Sequence, residues 1–298
     1  MELQQLRYFV AAADLRNFTR AAERCGVAQP SLSQQIAKLE QSLGKTLLDR
    51  SGRRVALTDA GEEFYERAVK ILSLVDEAER VGSGAVERPR LRVGAIPTIA
   101  PYLLPPVLKE FSAKNAAAEV SVVEDLTAEI VSGCIAGDLD VGIVALPIDD
   151  APLHVEQLFR EELLVALPAR HPLAKKNRVT AAELAREPFV LLSEAHCLGE
   201  QIVSYCRQRE CPPRVHCRSG QLLTVQELVG LGYGLSFVPE MARATDRSKL
   251  RVYRSLAGAK PMRTVAMIWH RFRVQQPTVA AFRETLKKSR TTSVANEK

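Results

Sequence analysis

The chain has 298 residues, a length that suggests about two domains, and 46% of them are hydrophobic, enough for a sizeable core. Its formal net charge is +6 and its pI about 9.0, a basic excess compatible with a polyanionic partner but too small to identify one. No apolar run approaches the ~18 residues of a membrane span, and the polar, amphipathic start Met1-Glu2-Leu3-Gln4-Gln5-Leu6-Arg7 is not that of a signal peptide. The expected location is the cytoplasm. There, six cysteines are buried small hydrophobes, metal ligands or redox groups rather than structural disulfides.

Leu3, Leu6, Phe9, Val10 and Ala13 recur at helical spacing. Thr19 is placed to cap a short helix over 20–24 that packs through Ala21 and Ala22. Gly26 supplies the turn after it, and Pro30 suits the first turn of a third helix. In that helix Leu32, Ile36, Leu39 and Leu43 face a core, while Ser31, Gln34, Gln35 and Lys38 lie on the other side. Apolar stretches on either side of Ser51-Gly52 read as a hairpin whose basic residues are Arg50, Arg53 and Arg54. Thr58-Asp59 opens a long helix, in which Phe64, Ala68, Ile71, Val75 and Ala78 form an a/d seam suited to pairing two linker helices. Gly82, Gly84 and Pro89 mark its end.

From residue 90 the pattern changes. Strands over 91–96, 120–123 and 141–146 alternate with helices over 100–113 and 128–136. A second series has strands over 163–167 and 189–192, helices over 181–185, 197–208 and 222–231, and strands over 235–238, 250–253 and 265–269. A helix over 278–287 closes the chain, with a polar tail over 290–298 expected to be disordered. The alternation predicts parallel-sheet α/β structure.

Helix, short helix, tight turn, helix is the arrangement that sets a second helix in the major groove. Its start supplies Gln29, Pro30, Ser31, Gln34 and Gln35 as candidate contacts to base edges or phosphates, with Arg50, Arg53 and Arg54 reaching the backbone or minor groove. Spacing alone also allows a three-helix bundle with an ordinary solvated face. The residues themselves are more specific. Leu6-Arg7-Tyr8-Phe9, Phe18-Thr19-Arg20-Ala21-Ala22, Gln29-Pro30-Ser31-Leu32-Ser33-Gln34-Gln35-Ile36, Leu39-Glu40 and Leu57-Thr58-Asp59-Ala60-Gly61 closely resemble the LysR-type transcriptional regulators. The resemblance implies a winged helix-turn-helix DNA-binding domain over 1–58 and a dimerisation linker helix over 59–86. It further implies a regulatory α/β domain over 90–298, like a periplasmic binding protein, made of two Rossmann-like subdomains. These are expected over 90–162 with 268–298, and over 163–267. Ala28 departs from the family, which often has Ser there, and removes a cap from the third helix.

Cys197, Cys206, Cys211 and Cys217 cluster in the regulatory half, two of them beside a histidine as His196-Cys197 and His216-Cys217. If 197–208 is helical, Cys197 and Cys206 sit ~13 Å apart along the axis and on opposite faces. A disulfide needs Cα atoms within about 7 Å, so bridging them requires the helix to be remodelled. Cys197 at a helix start beside His196 favours a thiolate, with Glu194 and Glu200 working against it.

His196-Cys197-Leu198 with Cys206 behind it, and Ile96-Pro97-Thr98 followed by Pro101-Tyr102-Leu103-Leu104-Pro105, resemble the OxyR group, the peroxide-sensing members of the LysR type. That resemblance implies Cys197 as the peroxidatic thiol and Cys206 as the resolving one. It also implies a peroxide pocket of Thr98, Thr127, His196 and His216, with Gly199-Glu200 replacing a basic-acidic pair. The implied partners are promoter DNA, a second copy through the linker helices, a homotetramer, RNA polymerase and hydrogen peroxide. No cofactor or membrane partner is implied. Three other readings stay open. His196, Cys197, Cys206, Cys211, His216 and Cys217 could serve metal sensing, although no C-x₂-C pair or zinc spacing is present. A small organic effector could occupy the cleft between subdomains. A thiol peroxidase would share the reactive cysteine but has no use for the N-terminal module. Cys25 and Cys134 are expected to be inert.

Overall fold

The computed structural model describes residues 1–52, 55–82, 88–148, 152–193, 196–208 and 213–295. Arg53, Arg54, Glu194 and Cys211 lie outside them. The N-terminal head consists of helices α1 (Leu3–Leu15), α2 (Phe18–Arg24) and α3 (Gln29–Leu43) and the hairpin of β1 (Leu48–Asp49) with β2 (Ala56–Leu57). The long helix α4 (Asp59–Gly82) follows, begun by Thr58, whose hydroxyl accepts from Gly61 N at 3.0 Å. Leu6, Phe9, Leu32, Ile36, Leu39 and Tyr65 fill one core. Each fully buried Leu, Ile or Phe contributes roughly 1.5–3 kcal/mol.

Two details differ from the sequence expectation. Asn17, not Thr19, caps α2, its Oδ1 accepting from Arg20 N at 3.0 Å, so the helix starts two residues earlier. Leu43, at the last position of α3, is 37% exposed and contributes little to the core. Of the expected seam on α4, Ala68 is buried in the head's own core and Phe64 and Ile71 pack against it. Leu74 is exposed nearer the far end.

The second half forms two α/β lobes on one mixed sheet. Its strands are β3 (Arg90–Ala95), β4 (Glu119–Glu124), β5 (Val141–Ala145), β6 (Leu153–Pro168), β7 (Arg178–Val179), β10 (Ser236–Pro239), β11 (Arg251–Leu256) and β12 (Met262–His270). They run in the order β4-β3-β5-β12-β6-β11-β7, with β10 also on β6. A separate parallel pair is formed by β8 (Pro188–Leu192) and β9 (Arg214–Ser219). The helices are α5 (Ala100–Lys114), α6 (Thr127–Ala136), α7 (Ala181–Leu184), α8 (Cys197–Gln208), α9 (Leu222–Gly230), α10 (Glu240–Thr245) and α11 (Pro277–Ala295).

The sheet is not all parallel: β12 runs antiparallel to both β5 and β6. β6 is longer than the strand expected at 163–167. Its first part pairs with β12 and its last part with β10 and β11, so one strand runs from the first lobe into the second. Val265 and Met267 of β12 already belong to the first lobe's core, together with Val93, Phe111, Ile143 and Phe282. The second core gathers Val165, Phe189, Ile202, Val225 and Phe237. Helix α11 continues through residues expected to be disordered, as far as Ala295, because no Gly or Pro interrupts it. Among the described residues, no helix is long and apolar enough to cross a membrane.

Candidate DNA-contact and thiol sites

The head presents the start of α3 to solvent. Ala28 occupies the N-cap position with no side-chain hydrogen bond, and Pro30 stands in the first turn, where its missing N–H costs nothing. Gln29, Pro30, Ser31 and Gln34 are exposed. Gln35 is half-buried instead, its Oε1 accepting from Gln5 Nε2 of α1 at 3.2 Å, because it sits beside Ile36 at the edge of the buried stripe. Arg50 is also engaged. It donates to Glu40 Oε2 at 2.8 Å and its guanidinium lies 5.0 Å from the centre of the Phe18 ring. Glu40 Oε1 accepts in turn from Leu47 N and Leu48 N, so this carboxylate, part of the Leu39-Glu40 motif, ties α3 to the hairpin.

The five described cysteines are all thiols. Cys197 and Cys206 sit in the single helix α8, nine positions apart, which places them ~13 Å apart along the axis and on opposite faces. They belong to different surroundings. Cys206 is 3% exposed within the second lobe's core, whereas Cys197 is half-buried against the first lobe's core. Gly199 allows α8 to begin this close to the sheet: a Cβ there would come within 2.7 Å of Leu192 O and 2.9 Å of Ser193 O. Burial pushes the Cys134 thiol up to about 12, and also raises Cys25, which matches unreactive side chains.

A cavity of about 570 Å³ opens beside Cys197. From the regulatory half it is lined by Thr127, Val131 and Ile135 of α6 and by Glu200. From the head it is lined by Asp14, Leu15, Arg20 and Arg24. Thr127 Oγ1 is buried with no hydrogen-bond partner. Thr98 is not on this wall. It is 2% exposed at the first lobe's edge, where its hydroxyl accepts from Arg263 Nη1 at 2.9 Å and its carbonyl from Arg263 Nη2 at 3.0 Å. Arg263 is itself fully buried and paired with Glu161 at 2.7 Å, and Glu161 also accepts from Met241 N of α10. These two residues escaped the sequence reading because only the register of β12 on β6 brings Arg263 opposite Glu161.

His196 precedes α8, its carbonyl accepting from Gly199 N at 2.9 Å. His216 stands exposed on β9 and is not among the residues lining the cavity, while Val215 and Cys217 turn to the second core. Cys197 and Thr127 thus line one cavity, and Thr98, His196 and His216 are not among its lining residues. Among the described residues, no group of three or more His, Cys, Asp or Glu is placed to hold a metal.

The head meets the regulatory half directly. Tyr65 Oη donates to Asp14 Oδ1 at 2.5 Å and lies 3.1 Å from His270 Nε2. His270 Nδ1 accepts from Phe272 N at 3.2 Å, which assigns the proton to Nε2 and makes that nitrogen the donor to Tyr65. Burial pushes the Asp14 carboxyl up to about 6 against the opposing pull of Tyr65, Arg24 and Arg273. It depresses His270 to about 3, with Arg273 acting in the same direction.

Comparison with known proteins follows the same division. The pattern described as "Bacterial regulatory helix-turn-helix protein, lysR family" matches residues 3–62, and "LysR substrate binding domain" matches 84–290. The chain is 35% identical over 268 residues to a probable hydrogen peroxide-inducible genes activator of Mycobacterium avium, covering 89% of this chain and 86% of that protein. It is also 35% identical over 272 residues to the Hca operon transcriptional activator HcaR of Escherichia coli (strain K12), covering 90% and 92%. A full-length OxyR variant from Pseudomonas aeruginosa superposes with a TM-score of 0.64 at 31% identity, covering 97% of this chain and 94% of that one. A hydrogen peroxide-bound OxyR mutant of Corynebacterium glutamicum gives 0.63 at 30%, covering 99% and 96%. The chain belongs to the LysR family of bacterial transcriptional regulators, as a DNA-binding regulator rather than an enzyme, with homologues among the hydrogen peroxide-inducible activators.

Proposed function

We propose that this regulator senses hydrogen peroxide through Cys197 and Cys206 and activates oxidative-stress genes from promoter DNA in the cytoplasm. The observation that carries the reading is the placement of the two thiols on opposite faces of one helix, each against a different lobe. The Cys197 thiolate attacks one peroxide oxygen, giving a sulfenic acid and, after proton transfer, water. The Cys206 thiol then displaces the sulfenic hydroxyl as a second water, and the sulfur–sulfur bond closes. Since α8 holds the two sulfurs apart, that bond forms only if part of the helix unwinds and Cys206 leaves its core. Thr127, on the cavity wall, is the hydroxyl best placed to bind peroxide. Thr98, held by Arg263, His196 and His216 are the further candidates for the peroxide pocket.

Gln29, Pro30, Ser31 and Gln34 serve as the groove-facing contacts, with Gln35 and Arg50 supporting the recognition helix and Arg53 and Arg54, outside the described residues, supplying further positive charge for the DNA backbone. The working unit is a dimer paired through α4, where Leu74 is left exposed. Exposed Val122 and Val123 on the sheet edge and Leu223 on α9 offer further surface for a tetramer that presents RNA polymerase with the promoter. Against the reading of a small organic effector in the cleft between the lobes, the thiol pair on α8 favours peroxide.

The test is mass spectrometry after brief treatment with stoichiometric peroxide. A Cys197–Cys206 bridge, with loss of peroxide-dependent transcription in Cys197→Ser, is the expected result. If Cys197 stays reduced, or the Cys197→Ser variant responds normally, the proposal fails.

A further inference from the structure

We infer that α6 transmits the state of the Cys197 cavity to the DNA-binding head of the same protomer, and that Arg24 is the residue that receives it. The inference rests on the reading of Cys197 as the peroxide-reactive thiol and adds a route within one chain, independent of any change in subunit arrangement.

Helix α6 begins and ends at the two places that matter. Thr127 at its start, and Val131 and Ile135 one and two turns on, form the wall opposite Cys197. At its other end, ~15 Å along, the last carbonyls lack partners within the helix. Two guanidinium groups satisfy them. Arg24, from α2 of the head, donates to Ala136 O at 3.1 Å, and Arg273, from the regulatory half, donates to the same oxygen at 2.8 Å. Cations at this end also suit the helix dipole. Gly137 caps the helix in the left-handed region (φ 82°), and a Cβ there would lie 2.4 Å from the Arg273 guanidinium carbon. Arg24 further lies 3.6 Å from Asp14 Oδ2, and through Asp14 the contact reaches Tyr65 and His270.

The same seam carries unmet polar groups. Thr127 Oγ1 on α6 is buried without a hydrogen-bond partner, Asp14 Oδ2 on the head makes no hydrogen bond beyond its longer ion-pair contact with Arg24, and both residues line the Cys197 cavity. Orphaned buried groups are uncommon in a settled interface, and they mark this one as able to rearrange. When Cys197 leaves the wall to meet Cys206, the cavity that Val131 and Ile135 of α6 line is reshaped, and the packing around that face of α6 changes with it. Close-packed helices respond as rigid bodies, so the displacement appears at the Ala136 end, where Arg24 is held. Arg24 lies in the first helix of the helix-turn-helix pair, so a shift there alters how α3 is presented to DNA.

The experiment uses full-length protein and a duplex selected from a random-sequence pool by the wild type. Dissociation constants are measured for reduced and peroxide-treated wild type, Arg24→Ala and Arg24→Gln, with the Cys197–Cys206 bridge quantified in each sample. The wild-type ratio of the two constants should be at least about fivefold, the lower end for coupled sites. Arg24→Ala should form the bridge as completely as wild type while its ratio falls toward unity. Arg24→Gln, which keeps a donor for Ala136, should retain an intermediate ratio and guards against a folding defect in the alanine variant. A full wild-type ratio in Arg24→Ala would overturn the route through α6 while leaving the peroxide reading intact. Absence of the bridge in wild type would defeat the peroxide reading itself, and this inference with it.

Discussion

Gly199 stands two residues after Cys197 and shows how a single side chain sets the resting state of the thiol. Any Cβ at this position meets the backbone oxygens of Leu192 and Ser193, which cannot rotate away as a flexible side chain can. Gly199→Ala therefore pushes the start of α8 off the end of β8. Overpacking of this kind costs typically 1–3 kcal/mol, about that much stability in the reduced protein. The oxidised protein, with this turn rebuilt, should lose less. Thermal unfolding of both redox forms checks this, and an equal loss in both would show that the turn is not remodelled. Gly199-Glu200, which replaces the group's basic-acidic pair, thus has a consequence that only the neighbours in space reveal. The engagement of Gln35 with Gln5 and of Arg50 with Glu40 and Phe18 was hidden for the same reason, since residue type and helical spacing give the face but not the neighbour across it.

At the scale of elements, α8 is the part expected to change. It contacts its surroundings through Leu198, Ile202 and Cys206 on one side and Cys197 on the other, so it cannot satisfy both lobes once the sulfurs join. Hydrogen exchange followed by mass spectrometry should show protection lost across 197–208 on peroxide treatment and retained across β6. Retained protection in α8 together with a formed bridge would rule out the unwinding. The helix itself was readable in advance, because its apolar spacing is local. Two neighbouring elements were not. β9 alternates Arg214, Val215, His216, Cys217, Arg218 and Ser219, a weak pattern with few apolar positions, and its pairing with β8 supplies what the sequence lacks. The first part of β6 carries His154, Glu156, Gln157, Arg160 and Glu162 and reads as a polar loop. It becomes a strand because β12 pairs along its length, with Arg263 and Glu161 buried against each other. Register, rather than composition, made both of these strands.

For the whole molecule, the contact of Asp14, Tyr65 and His270 joins residues from α1, α4 and β12, and no local pattern announces it. Its two titrating members pull stability in opposite directions. Asp14 is raised from its ordinary 3.8 to about 6 by burial, so between those values the folded chain holds a proton that the unfolded chain has released. Stability from this group grows as pH falls through that window and is lost as pH rises through 6. His270 is depressed from 6.5 to about 3, so over most of the same window the unfolded chain takes up a proton that the folded chain refuses. Stability from this group is present above 6.5 and is lost as pH falls. Each contribution is on the order of a few kcal/mol at full extent, because every tenfold change in proton affinity between the folded and unfolded chain is worth about 1.4 kcal/mol. Between about pH 6 and pH 4 the two slopes offset, one proton against one, and the head stays docked with little net dependence on acidity. Single substitutions should expose each half. Asp14→Asn leaves only the His270 effect, so its midpoint of thermal unfolding should fall relative to wild type as the buffer moves from pH 7 to pH 4.5. His270→Gln keeps a donor for Tyr65 and leaves only the Asp14 effect, so its midpoint should rise relative to wild type over the same range. Taking differences from wild type cancels the titration of every group the proteins share. If both variants tracked wild type across the range, these two residues would not be the titrating pair at the seam.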